Sequence, residues 1–380
     1  MNSRPLRIVH VIARMNVGGP AILISELING LNSKDFESYL ITGYCETNEI
    51  DFLQVNNLKL NEKRIKGLGR SVSIIGDFKS VFLVMKALRK IKPDIVHTHT
   101  AKAGVIGRLT ALIAVPKAKR VHTFHGHLLQ GYFSPFKTKV VVIIEKLLGK
   151  FTDLILTVGN RVKKDLLVTG IGIESKMQVT FPGITVKTTV ERKQKRSELG
   201  ILEDEILLIY VGRLTQIKRV DRLINSFKKA SDINQGITLL VVGDGELRES
   251  LQKDSPGLKI KFLGWRTDVY DLMNASDMAI LTSDNEGMPI TLIEAAHLGL
   301  PAISTNVGSV SDVVKDEITG FLTSQDETEI SQKIIQLAGS PSLREKLGSA
   351  AKKQAKENFS TESMVQFHAN AYRILLNRAN

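Results

Sequence analysis

Residues 206–218 read Ile206-Leu207-Leu208-Ile209-Tyr210-Val211-Gly212-Arg213-Leu214-Thr215-Gln216-Ile217-Lys218. The first six are apolar with no alternation, the pattern of a strand buried on both faces of a parallel sheet. A short polar turn follows, and then Val220, Leu223, Ile224 and Phe227 recur at spacings of three and four, one face of a helix. The same strand-then-helix unit repeats along the chain. Apolar runs occur at 8–13, 38–41, 94–98, 120–123, 154–158 and 178–181, and again at 206–211, 237–242, 260–263, 278–282 and 302–305. Alternation on this scale predicts α/β architecture with parallel sheets covered by helices on both faces. It restarts after a charged, strand-poor stretch at 187–205, so two domains are expected, 1–188 and 189–360. Residues 361–380 hold a terminal helix that can pack back on the first domain. Two such sheets facing one another leave a cleft lined by the C-terminal ends of strands, where sheets of this kind bind ligands.

The bulk composition narrows the class. The chain has 380 residues, 43% hydrophobic and 24% charged, an ordinary globular balance. Its one cysteine, Cys45, allows no internal disulfide and fits a reducing compartment, hence a cytoplasmic expectation. The first apolar run is interrupted by His10 and closed by Arg14, unlike a secretory leader. No uncharged stretch approaches the roughly 20 residues that span a bilayer. The net charge of +13 is uneven: residues 1–190 hold 28 Lys+Arg against 13 Asp+Glu, and residues 191–380 hold 24 against 26. The basic half implies an anionic partner. No zinc finger, aromatic RNA-binding strand or helix-turn-helix signature is present, so acidic lipid head groups or a phosphorylated acceptor are expected and nucleic acid is not.

Two segments carry chemistry. In Ser283-Asp284-Asn285-Glu286-Gly287-Met288-Pro289-Ile290-Thr291-Leu292-Ile293-Glu294 a strand ends, a polar turn follows, and Pro289 stands where a helix begins. Free amides from about Met288 to Thr291 would make an anion site suited to a diphosphate. Glu294 could accept hydrogen bonds from a ribose diol and Glu286 could hold sugar hydroxyls, with acid–base work by the pair as the alternative. In Gly212 to Lys218, Arg213 offers a planar fork and Lys218 a mobile point charge to phosphate oxygens. Together they would neutralise a leaving nucleoside diphosphate without a metal. An Asp-x-Asp pair at a strand end, common in metal-dependent sugar transferases, is absent.

In this order these residues resemble the retaining glycosyltransferases of family 4 (group 1), whose fold is GT-B: two Rossmann-like parallel-sheet domains facing across a cleft. Further pieces of the resemblance are Gly18-Gly19-Pro20 after the first strand, His97-Thr98-His99, Thr123-Phe124-His125-Gly126-His127, Gly243-Asp244-Gly245, Phe262-Leu263-Gly264-Trp265 and Gly320-Phe321-Leu322, the last read as a turn. The pair Glu286 and Glu294 matches the family's E-x7-E motif. The resemblance implies that Arg213 and Lys218 bind the donor diphosphate and Glu294 the ribose. Glu286 would position the transferred sugar. Gly19 and the backbone from Met288 through Pro289 and Ile290 to Thr291 complete the phosphate cradle, and Gly18 and Gly287 stand with them among the donor-binding residues. Gly264 and Trp265 lie where the family contacts the base, and His125 where it contacts the donor sugar. It further implies retention of anomeric configuration by front-face attack, no cofactor, a nucleotide-sugar donor and a lipid-linked or glycan acceptor at the inner face of a membrane. The chain departs at Gly308-Ser309-Val310-Ser311-Asp312, where many relatives carry a second Gly and a Glu, which leaves the local hydrogen bonding open.

Blander readings compete. Five of the eight histidines fall between His97 and His127, and His97 and His99 share a strand face as two zinc ligands would; no acidic or cysteine partner is spaced beside them, so no metal is expected. Gly243-x-Gly245 lacks the third glycine of a dinucleotide fingerprint. In residues 137–151, apolar positions 140, 141, 144, 147, 148 and 151 suit a helix packed on the sheet, or one lying in a membrane surface beside Tyr132, Phe133 and Phe136. The basic stretch 59–70 is a second membrane candidate. A sugar-nucleotide epimerase and a non-catalytic nucleotide-sugar-binding subunit remain the alternative functions.

Overall fold

The structure is a computed structural model and describes residues 4–33, 35–47, 49–69, 74–126 and 135–377. His127, Tyr132, Phe133 and Arg70 lie outside these. The chain divides into two compact units, Met1–Ile184 with Ser360–Asn380, and Thr185–Phe359.

The first unit carries seven parallel strands: β1 Leu6–Ile12, β2 Phe36–Thr42, β3 Glu62–Arg64, β4 Ile95–His99, β5 Lys119–Phe124, β6 Leu154–Thr157 and β7 Met177–Val179. Their order is β3-β2-β1-β4-β5-β6-β7. The second carries β8 Ile206–Val211, β9 Ile237–Val242, β10 Ile260–Gly264, β11 Met278–Leu281, β12 Ala302–Thr305 and β13 Gly320–Thr323, in the order β10-β9-β8-β11-β12-β13. The same winding is thus used twice. In each sheet the order reverses between the first strand and its neighbour across the centre, β1 with β4 and β8 with β11. Loops leaving the C-terminal ends there diverge and open a crevice for ligand.

The apolar runs become the central strands because both faces of a parallel sheet are covered, and β4, β6, β9, β11 and β12 are buried throughout. Two strands escape the sequence reading. β3 is the charged triplet Glu62-Lys63-Arg64 at a sheet edge, where polar residues protect unpaired backbone. Gly320 opens strand β13, not a turn: it pairs with Ala302, and a Cβ there would come 2.2 Å from the Ala302 oxygen.

Right-handed crossovers put helices Ile74–Ile91, Ala101–Ala114 and Pro135–Lys150 on one face of the first sheet, packed in succession. Helix Gly19–Leu31 covers the other face together with the terminal helix Thr361–Leu375. The terminal helix starts where it does because Ser360 Oγ accepts from Ser363 N at 3.2 Å.

Helix Pro135–Lys150 does not pack as its periodicity predicts. Leu148 is buried, but Val140, Ile144 and Leu147 are exposed, along with Ile143 at 66%. The inward position is taken by Glu145, which accepts from Arg108 Nη2 at 2.8 and 2.7 Å with both side chains 2% exposed. The ion pair, with Leu148 and Val142, seats this helix, and Val140, Ile143, Ile144 and Leu147 face outward.

Candidate functional site

In the second unit, the loops after β8 and β11 flank the point where the strand order reverses. Asp284 N donates to Ile217 O at 2.9 Å, tying one loop to the other. Arg222, buried, donates to Thr282 O at 2.7 Å and to Asp284 at 2.8 Å. Arg219, in the left-handed region with φ +48°, pairs with Asp221 and Asp284. This arginine–aspartate lattice was not read from the sequence, although two arginines at 219 and 222 are its visible trace.

On that frame Lys218 Nζ reaches Glu286 Oε1 at 2.5 Å, and Ser283 Oγ donates to the same oxygen at 2.5 Å. Glu286 is buried, and its backbone oxygen accepts from Ser309 N at 3.2 Å. Gly308 is required here, with φ +54° and a hypothetical Cβ only 1.7 Å from the Glu286 oxygen. The departure at 308–312 therefore keeps the glycine that carries the contact. Ser309, which replaces the second one, leaves its Oγ without a partner among the described residues.

Arg213 is exposed and has no carboxylate partner among the described residues. Tyr210 Oη donates to its backbone oxygen at 3.0 Å. Burial raises the Tyr210 pKa, the Glu286 carboxylate raises it further, and Arg213 opposes them, so the three share one locality. Two cations and a paired carboxylate thus share one end of the sheet, with one of the charges already neutralised.

Helix Ile290–His297 follows, with Pro289 at its N-cap and not inside the first turn. The row of open amides is shorter than expected. Ile290 N turns back to Met288 O at 3.0 Å, while Met288 and Thr291 N–H find no acceptor among the described residues. Glu294 points into the second unit, where Tyr270 Oη donates to it at 3.3 Å. Burial pushes its carboxyl up to about 7, and the tyrosine bond only partly offsets this. Gly264 ends β10 at φ +67°, and its oxygen accepts from Gly243 N at 2.8 Å. Trp265 beside it is 44% exposed.

In the first unit, Gly18 is the N-cap of helix Gly19–Leu31 and Pro20 lies in its first turn. His125 follows β5. Its Nε2 lies 2.9 Å from His99 Nδ1, and His99 Nε2 lies 3.2 Å from His10 Nδ1. His97 bonds Tyr372 Oη and Thr123 Oγ1, each at 2.6 Å. His10, His97 and His99 bring nitrogens within 4.8 Å of one another. Both nitrogens of His97 are engaged with hydroxyls, and among the described residues no carboxylate joins the group, so the arrangement serves hydrogen bonding better than it would a buried dication. His10, His368 and Tyr372 were not singled out from sequence. The register of β1 on β4, which sets His10 beside His97, and the spacing of four between His368 and Tyr372 are the signals that could have found them.

Comparison with known proteins gives a consistent picture. The model for glycosyl transferases group 1 matches residues 191–354, and that for glycosyltransferase family 4 matches 17–187. An Escherichia coli UDP-Gal:alpha-D-GlcNAc-diphosphoundecaprenol alpha-1,3-galactosyltransferase is 33% identical over 67% of this chain and 68% of its own. The Staphylococcus aureus capsular polysaccharide biosynthesis glycosyltransferase CapM is 27% identical over 77% and 80%. Among solved structures, Anabaena Alr3699/HepE in complex with UDP and glucose superposes with a TM-score of 0.81 at 19% identity, over 96% of this chain and 99% of that one.

Proposed function

Since the chain belongs to the group 1 glycosyltransferases and has the GT-B architecture, we propose that it moves a sugar from a UDP-sugar to a lipid-linked or glycan acceptor during assembly of a surface polysaccharide. The observation that carries this reading is the Lys218–Glu286 pair beside Arg213, which has no carboxylate partner among the described residues, at the reversal point of the second sheet. Arg213 and Lys218 meet the diphosphate charge that grows as the bond to the anomeric carbon breaks. Glu286, held by Lys218 and Ser283, presents its remaining acceptor capacity to sugar hydroxyls. Glu294 takes the ribose, and the Met288 and Thr291 amides complete the phosphate cradle. With charge neutralised by side chains, transfer needs no metal. The acceptor oxygen bonds the anomeric carbon on the face the phosphate leaves, and its proton passes to the departing phosphate oxygen, so configuration is retained. His125 is the first unit's contact with the transferred sugar.

The choice of UDP follows the galactosyltransferase relative and the UDP-bound neighbour, and the lipid-linked acceptor follows the former's diphosphoundecaprenol substrate. Lipid docking has support in the first unit. Ile143 and Leu147 stand out of helix Pro135–Lys150 together with Phe136, and Phe78 and Phe82 stand out of helix Ile74–Ile91. Lysines interleave with both sets, as a helix lying in an anionic membrane surface requires. No described helix is long and apolar enough to cross a membrane.

The test is kinetic. Arg213→Ala and Lys218→Ala are each expected to lower turnover about a hundredfold or more, the scale for losing one electrostatic donor to a developing anion. Measured with a radiolabelled UDP-sugar and a polyprenyl-diphosphate glycan, native rates in both variants would refute the assignment.

A further inference from the structure

The proposed chemistry uses only His125 of three imidazoles that stand in a row in the first unit. His10 Nδ1 and His99 Nε2 are 3.2 Å apart, His99 Nδ1 and His125 Nε2 2.9 Å. Burial keeps all three neutral, pushing His10 down to about 3, His125 to about 4 and His99 well below its ordinary value. A neutral imidazole has one N–H and one lone pair, and each close contact needs one of each. Only two arrangements satisfy the row. In one, every ring carries its proton on Nδ1, and the row ends with a free N–H on His125 and a bare nitrogen on His10. In the other, every proton sits on Nε2 and the ends are exchanged.

The terminal atoms decide between them. His10 Nε2 and His125 Nδ1 both lack a partner among the described residues. An unpaired buried N–H is costlier than an unpaired lone pair. His10 is wholly buried. His125 lines a cavity with His99, Thr123, Thr180 and His368, and the Thr180 hydroxyl there also lacks a partner among the described residues. The His125 Nδ1 atom is covered as well, but His125 is partly exposed and borders this cavity whereas His10 is enclosed, so the free N–H is better placed on His125, beside space where a ligand oxygen can accept it.

We infer that His99, anchored by His10, is a positioning residue that holds His125 in its Nδ1–H form, so that His125 donates a hydrogen bond to an oxygen of the bound sugar and does not act as a proton acceptor. The ligand's identity rests on the proposed function; the tautomer does not.

The experiment is a two-bond proton–nitrogen correlation spectrum of the full chain with nitrogen-15 in its histidines, beside transfer rates for two variants. The native spectrum is expected to show His125 protonated on Nδ1; protonation on Nε2 overturns the inference. His99→Asn places an amide where Nδ1 was and can still donate to His125, so it should keep both the tautomer and near-native transfer. His99→Gln reaches instead toward His10 and leaves His125 Nε2 without a donor. It should blur the tautomer and lower kcat about tenfold or more, as loss of an orienting partner does, with the donor KM moving less. Equal rates in the two variants also overturn the inference. A native spectrum with His125 on Nδ1 and no sugar transfer at all would leave the tautomer standing and discard the function.

Discussion

Glu294 and Glu286 are separated by one motif, yet their surroundings set them different tasks. Glu286 is paired with a lysine and a serine, whereas Glu294 is enclosed with Tyr270 as its side-chain partner among the described residues, and its carboxyl is held at about 7 instead of 4.5. The sign follows from linkage. A carboxyl whose value rises on folding favours the fold when protonated; this contribution is complete below pH 4.5 and is lost as pH climbs through 7. In the proposed role a ribose diol would donate to the ionised form, so UDP affinity should fall as pH is lowered from about 8 to about 6, across that value. The Glu294→Gln variant should bind UDP about tenfold more weakly at the upper pH, the scale of one charged hydrogen bond, and should melt higher there. Its remaining pH slope reports the nucleotide's own phosphate, which ionises near about 6. Calorimetric titration of both proteins checks this, and identical slopes would remove Glu294 from the nucleotide site. Both glutamates were legible in the sequence as a spaced pair. The raised value at Glu294 was not, because burial and the tyrosine come from other elements.

Elements were legible where their periodicity was strong and misread where polarity and position disagreed. Strand β8 and helix Val220–Ser231 match their apolar patterns to the residue, since a six-residue apolar run and a three-four spacing each have one economical structure. Helix Pro135–Lys150 shows the limit. It has apolar residues on two faces, and pattern alone cannot say which turns inward. The decision lies with Arg108, whose guanidinium would be stranded in the core without Glu145. Glu145→Ala should therefore destabilise the protein by about 3–5 kcal/mol, while the double change Arg108→Met with Glu145→Leu should cost much less than that single one. Chemical denaturation of the three proteins tests the pair. A single substitution as mild as the double would show that the pair is not what seats the helix.

At the level of the whole molecule, the outstanding quantity is charge. The first 190 residues carry the basic excess and the remainder is nearly neutral, and the exposed apolar stripe lies in the basic part. Full-length protein should float with vesicles containing anionic lipid, less so as salt rises and the roughly 10 Å screening length at 0.1 M shortens. Ile143→Glu with Leu147→Glu should weaken flotation and leave the melting temperature near native, because both side chains are already exposed. Binding that ignores salt and these substitutions would count against membrane docking.

The alternation of strands and helices, the doubling of the sheet and the polar loops proposed to hold phosphate in the second unit were decided by the chain's local pattern, because each depends on neighbours within one or two turns. What the tertiary structure alone decided is which distant side chains meet. Lys218 finds Glu286 across 68 residues, His10 finds His99 across 89, and His97 finds Tyr372 across 275. Such partners are set by strand order and by the return of the terminal helix to the first sheet. Neither leaves a periodic trace, since closing a long loop is nearly as easy for one partner as for another until the sheets have chosen.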